Sequence, residues 1–136
     1  MTKIKFETPF GELVAELRRD LNPRTVDMIL AFLPMKYKVP LQVWGEEVFF
    51  YLPDTLKEIG YENTQIELEI GDVAFWPRDP ACCLFFGKTP LSTNEKPIAA
   101  EPVNVFAKIT QGMELLPKLE DGDLIFMDKL ENQSDF

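Results

Sequence analysis

Along most of this chain apolar residues recur at every second position, the period of a strand that buries one face. Over residues 3–7, KIKFE, Ile4 and Phe6 share a face; over 11–18, GELVAELR, so do Leu13, Ala15 and Leu17. The period then changes. Val26, Ile29, Leu30 and Leu33 follow at i, i+3, i+4 and i+7, which is one face of a helix. Asn22 is its candidate N-cap, Pro23 suits the first helical position, and Pro34 ends it. LQVWGEEVFFYL (41–52) predicts two strands around a turn at Gly45-Glu46. QIELEI (65–70) alternates, with Ile66, Leu68 and Ile70 inward. GDVAFWP (71–77) and ACCLFFG (81–87) are apolar strand runs parted by the turn residues Pro77 to Pro80. VNVFAKIT (103–110) puts Val103, Val105, Ala107 and Ile109 on one face. Gly112 permits a positive φ, MELLPKL forms a short helix cut by Pro117, and DLIFMDKL (123–130) is the last strand.

About eight strands with two helices point to a mainly β fold. The expected architecture is a closed β-barrel whose ends the two helices cap. No repeat, low-complexity segment or linker divides the chain. Residues 1–130 are expected to form a single domain and 131–136 a flexible tail. The stretch 87–102, GKTPLSTNEKPIAAEP, reads as a long irregular loop, a kind that is often functional, and offers a possible contact surface.

Composition narrows the chemistry. The 136 residues, 46% of them apolar, suffice for one core. No apolar run nears the ~20 residues of a membrane span, and the N-terminus lacks a secretory h-region. A soluble cytoplasmic protein is expected. The net charge is −9 and the 14 basic residues are scattered, which disfavours nucleic acid and anionic membranes as partners. There is no histidine, so Ser-His-Asp, Cys-His and histidine-zinc chemistry are excluded. Cys82 and Cys83 are adjacent and would point to opposite faces of a strand; a bridge between them would be strained. They are expected to be reduced, with at least one in the core. Asp121-Gly122-Asp123 resembles part of a calcium loop but lacks the further ligands, and reads as a turn. No metal and no cofactor are expected.

Several of these segments together resemble the cyclophilins. In that family a VFGKV strand leads through GM to a short helix and a final strand, and Val105, Phe106, Lys108, Gly112 and Met113 fall in matching places. Gly11, the strand through Leu17 and Pro23-Arg24-Thr25 are similar to the family's glycine, strand and P-K-T helix start. GDVAFW and CLFFG stand where the family has G-x-L-S-M-A and Q-F-F-I. The matches keep their order from residue 11 to 130. The chain most resembles the small atypical cyclophilin-like proteins of bacteria and archaea that lack the prolyl isomerase motif. Trp44-Gly45-Glu46-Glu47 and Cys83 through Pro90 resemble their W-G-D/E-E hairpin and CLFFG-x-TP stretch.

The resemblance implies a barrel and a groove, and it also implies what the groove has lost. The family's isomerases donate to the substrate imide from an arginine on an F-H-R-I-I-P-G-F-M-x-Q hairpin. Here Leu41 or Gln42 takes that position, depending on register. No Lys or Arg occurs from Val39 to Leu56. A neutral amide donates more weakly than a guanidinium. Leu84 replaces the family's glutamine, Val103 its pocket histidine, and Phe86 keeps the pocket phenylalanine. Isomerase activity is therefore not expected beyond a weak remnant.

The groove carried over from the family would be lined by Trp44, Glu46, Glu47, Tyr51, Trp76, Arg78 and Phe86. Each has a structural alternative. Trp44 would cover a barrel end, Trp76 pack on the following prolines, Arg78 neutralise Asp79, and Phe86 belong to the core. Glu46 and Glu47 would be a charged turn. If they are instead functional, only one can enter the groove, since strand neighbours face opposite ways. A carboxylate among aromatic walls has a raised pKa and suits acid–base work or binding of an amine or cation. The expected function is a ligand- or peptide-binding module, its partner an unknown small molecule or an extended peptide. The alternative is an enzyme with carboxylate-based chemistry, using Glu46 or Glu47 with Arg78 and Tyr51, without catalytic roles assigned to them. The chain is expected to be a monomer or a homodimer.

Overall fold

In the computed structural model, residues 2–130 are described; the tail expected at 131–136 lies outside them. The chain forms β1 (Lys3–Thr8), β2 (Gly11–Leu17), helix α1 (Pro23–Phe32), β3 (Val39–Pro40), β4 (Gln42–Val43) and β5 (Glu47–Tyr51). A 3-10 helix (Asp54–Ile59) leads to β6 (Thr64–Glu67), β7 (Asp72–Trp76), β8 (Ala81–Phe85) and β9 (Ile98–Gln111). A second 3-10 helix (Met113–Lys118) precedes β10 (Leu124–Lys129). Among the described residues the helical segments number three, where the sequence predicts two. The additional one follows Pro53, whose fixed φ favours a tight turn. Among the described residues no helix is long and apolar enough to cross a membrane.

All pairings are antiparallel, in the order β3-β10-β1-β2-β9-β7-β8-β5-β4, with β6 added on β9. The expected closed barrel is not closed by strand pairing, because this path has two ends, β3 and β4. Yet only Leu41 separates those strands in the chain. Val39 and Pro40 pair with β10, Gln42 and Val43 pair with β5, and the chain changes partner between them. Pro40 has no amide hydrogen with which to continue a ladder.

The main core lies between the inward faces of this sheet. Ile4, Phe6, Leu13, Phe50, Phe75, Leu84, Phe106 and Met127 fill it, and Val26 and Ile29 of α1 pack at one end. Phe6 and Phe50 meet edge to face at 6.3 Å. A second, smaller cluster occupies the other face of β7, β8 and β9: Leu68, Ala74, Cys83, Phe85, Ala99, Val103 and Val105.

Two irregularities in β9 pairing decide which residues meet which cluster. Val73 pairs with Ala107 and Ala74 with Val105, so Phe106 is an extra residue in β9. The alternation flips there. Ala107 and Ile109 face the main core while Val103 and Val105 face the second cluster, so the four residues predicted to share a face do not. In β6 the register shifts between Gln65 and Glu67. Leu68 is buried, but Ile66 and Ile70, also expected inward, are each 46% exposed. The stretch expected to be a loop to 102 becomes strand at Ile98, where β9 pairs with β6.

A polar knot anchors α1. Asn22 precedes the helix but does not cap it with its side chain. It donates to the Val105 carbonyl at 2.7 Å and accepts from the Asn63 amide at 2.7 Å. Glu62 supplies the cap, accepting from the amides of Arg24 and Thr25, both at 3.0 Å. A carboxylate suits the positive end of a helix. Buried Asn104 of β9 accepts from the Glu62 amide at 3.1 Å and donates to Thr25 Oγ1 at 3.0 Å and the Gly60 carbonyl at 2.9 Å. Asn104→Ala leaves the Glu62 amide and the Gly60 carbonyl without these partners. It should cost about 3 kcal/mol, read as a lower urea midpoint with an unchanged slope. A loss below about 0.5 kcal/mol would show that the knot does not hold α1.

Candidate functional site

Side chains alternate along β5 and β8, and the register couples the two strands. Phe49 stands opposite Cys83, and Glu47 opposite Phe85. These four share the outer face, while Val48, Phe50, Cys82 and Leu84 turn into the main core. The outer face opens into a cleft of about 270 Å³. One wall is Gln42, Val43 and Trp44 from β4 and the turn after it; the other is Ala99, Ala100, Glu101 and Val103 from β9. Trp76 of β7 completes the lining.

Glu47 is the most unusual group in the cleft. It is only 6% exposed, in a largely apolar setting. Burial pushes its pKa up to about 8, although a hydrogen bond from the Cys83 thiol pulls the other way. Cys83 is itself raised by burial and by the neighbouring Glu47 charge, so it stays a thiol and is a poor nucleophile. Cys82, buried in the main core, is raised by burial alone. Both cysteines are free. At the rim, Glu101 accepts a 2.8 Å hydrogen bond from the Trp76 indole and is paired with Arg78.

Three of the seven residues expected at the groove, Trp44, Glu47 and Trp76, line this cleft together. The other four lie elsewhere. The Glu46 carboxylate turns back to accept from the Lys88 amide at 3.0 Å and fills the space where a Cβ on Gly87 would sit. Tyr51 is exposed at the end of β5, beside a separate recess that includes Pro34, Tyr37 and Val39. Arg78 meets Glu101, not Asp79, and lies beside the cleft. Phe86 packs against the main core. Of the two positions that correspond to the family's arginine in the alternative registers, Leu41 is fully buried in the core and Gln42 lines the cleft.

Sequence reasoning did not single out Phe49, Cys83, Phe85 or Glu101 as groove residues. The first three carry a usable signal, since strand alternation places them with Glu47 once its face is known. Glu101 carries none, because β9 brings it to the site only through pairing with β6 and β7.

The fold and site define a class. Residues 2–128 match the model of the Cyclophilin-like family, and the chain belongs to that family. Among solved structures it is similar to a hypothetical protein from Archaeoglobus fulgidus, at 32% identity and a TM-score of 0.75, over 95% of both chains. No curated protein matches the chain.

The buried carboxyl makes stability depend on pH. Glu47 binds its proton more tightly when folded, so between about 4.5 and about 8 the native state holds more protons than the unfolded state. Stability then falls as pH rises through that window, by on the order of 4 kcal/mol from this group. Asp72, also raised by burial, adds in the same direction. Glu47→Gln should lose less stability than the unmodified protein between pH 5 and pH 8, in urea titrations at both pH values. Equal losses would mean that Glu47 has ordinary acidity.

Proposed function

We propose that this chain is a ligand-binding module on a cyclophilin-like scaffold, without significant prolyl isomerase activity. The cleft holding Glu47 carries this reading. Aromatic walls with a few convergent polar groups are the usual make-up of a ligand site, and Trp44, Trp76, Phe49 and Phe85 surround Glu47 and Glu101. A volume of about 270 Å³ suits a small molecule or one or two side chains of an extended peptide. No Lys or Arg is among the lining residues. The charged donor that favours a twisted imide is replaced by the neutral amide of Gln42, which supports the loss of isomerisation. A soluble, cytoplasmic protein remains the expectation.

A cis/trans assay on an X-Pro peptide should show no acceleration above buffer at micromolar protein; clear acceleration would overturn the non-isomerase reading. Trp44→Ala should retain the fold by circular dichroism and lose affinity for any ligand found, by about tenfold or more. Unchanged affinity would move the ligand elsewhere.

A second reading, acid–base catalysis in the same cleft, is favoured by one observation. A carboxyl with a pKa of about 8 is poised to exchange a proton near neutral pH. The pH-dependent stability of Glu47→Gln bears on it directly, since ordinary acidity at this position would remove it.

A further inference from the structure

We propose that the cleft binds an organic ammonium ion, a primary or methylated amine on a short apolar chain, with its cationic head beside Glu47. This rests on the reading of the cleft as a ligand site and names the ligand's chemistry.

The ionisable side chains of the lining that can carry charge are acidic. Glu47 comes from β5 and Glu101 from β9, while β8 contributes the neutral thiol of Cys83 and the ring of Phe85, and β4 the uncharged Gln42 and Val43. Arg78 is paired with Glu101 and lies outside the lining. An anionic ligand would find no cationic side chain in the lining.

The walls select the kind of cation. Trp44, Phe49, Trp76 and Phe85 place four aromatic rings in the lining, and aromatic rings attract ammonium groups and still pack against alkyl carbon. A hard metal ion would need about six oxygen ligands. Among the described residues no group of three or more His, Cys, Asp or Glu is placed to hold a metal. The volume of about 270 Å³ limits the ligand to a head group and a short chain.

Glu47 has capacity for such a partner. A carboxylate accepts at about four lone-pair sites, and the neighbouring Cys83 is a neutral thiol that supplies no positive charge. Near neutral pH the carboxyl carries a proton, because burial opposes its charge. An incoming ammonium takes over the compensating role of that proton. The O–H bond breaks, the proton leaves to solvent, and an ammonium–carboxylate pair remains. Cys83 and Glu101 are the other titratable groups in the cleft lining, and neither supplies a positive charge. Affinity for the cation should therefore rise with pH up to about 8, as competition from the proton falls.

The test uses the protein's own fluorescence. The chain has two tryptophans, Trp44 and Trp76, and both line the cleft. Choline and its neutral tert-butyl analogue, which have nearly the same shape, are titrated separately against the emission. Choline should produce a saturable change at about tenfold lower concentration than the analogue. Glu47→Gln should weaken choline about tenfold and leave the analogue unchanged. Calorimetry on the unmodified protein near pH 7, in two buffers of different ionisation enthalpy, should show about one proton released per choline bound. A trimethyl-lysine peptide distinguishes the source of the cation: tighter binding than choline assigns it to a peptide, weaker binding to a free amine. If the neutral analogue binds as tightly as choline, or no proton is released, the ammonium inference fails and the ligand site stands. If neither compound nor short X-Pro peptides perturb either tryptophan, the ligand-site reading fails with it.

Discussion

Strands β7, β8 and β9 are apolar on both faces, and the structure must cover both. The inward face is covered by the rest of the sheet and by α1, which makes the main core. Among the described residues no second layer of helices covers the outward face. Among these residues that face is covered by Leu68, by the early part of β9, where Ala99 and Val103 join Ala74, Cys83 and Phe85, and by the partly buried Leu21, Phe49 and Trp76. This cover stops short of the β4–β5 hairpin, and the gap is the cleft. The candidate site is thus the unfinished edge of a second core, which explains its aromatic walls and the burial of Glu47 within them.

The extra residue at Phe106 makes this arrangement possible. A regular β9 would send Val103, Val105, Ala107 and Ile109 to one side. The bulge lets one strand serve two clusters, with its first half on the outer face and its second half in the main core. The same first half carries Asn104 into the polar knot around Glu62 and Thr25. The element that walls the cleft is therefore fixed to the N-terminus of α1 by buried hydrogen bonds, which cost free energy when left unmade.

Membership of the Cyclophilin-like family and the similarity to an archaeal hypothetical protein establish the scaffold, and a scaffold alone does not establish an activity. What distinguishes this chain is the chemistry of its hairpin. Gln42 and Glu47 put a neutral amide and a buried carboxyl into the cleft, and no lysine or arginine joins them. The proposed recognition of a positive group rests on that charge pattern.

Local sequence determined much of the fold. Alternation found β1 and β2, the i, i+3, i+4, i+7 spacing found α1, and the apolar runs found β7 and β8, because each of these signals arises within one element. It also determined that Glu46 and Glu47 cannot share a face. Tertiary structure decided the rest. The bulge at Phe106 and the register shift around Ile66 reset which residues point inward, and a one-residue slip of this kind leaves no local mark. The open strand path and its change of partner at Leu41 depend on what β10 and β5 offer across space. Which glutamate entered the cleft was settled by the Lys88 amide and the gap at Gly87, far along the chain from the hairpin. Glu101 reached the site only because β9 pairs with β6 and β7. Alternation is a property of neighbours, whereas a cleft is made by residues that only pairing brings together.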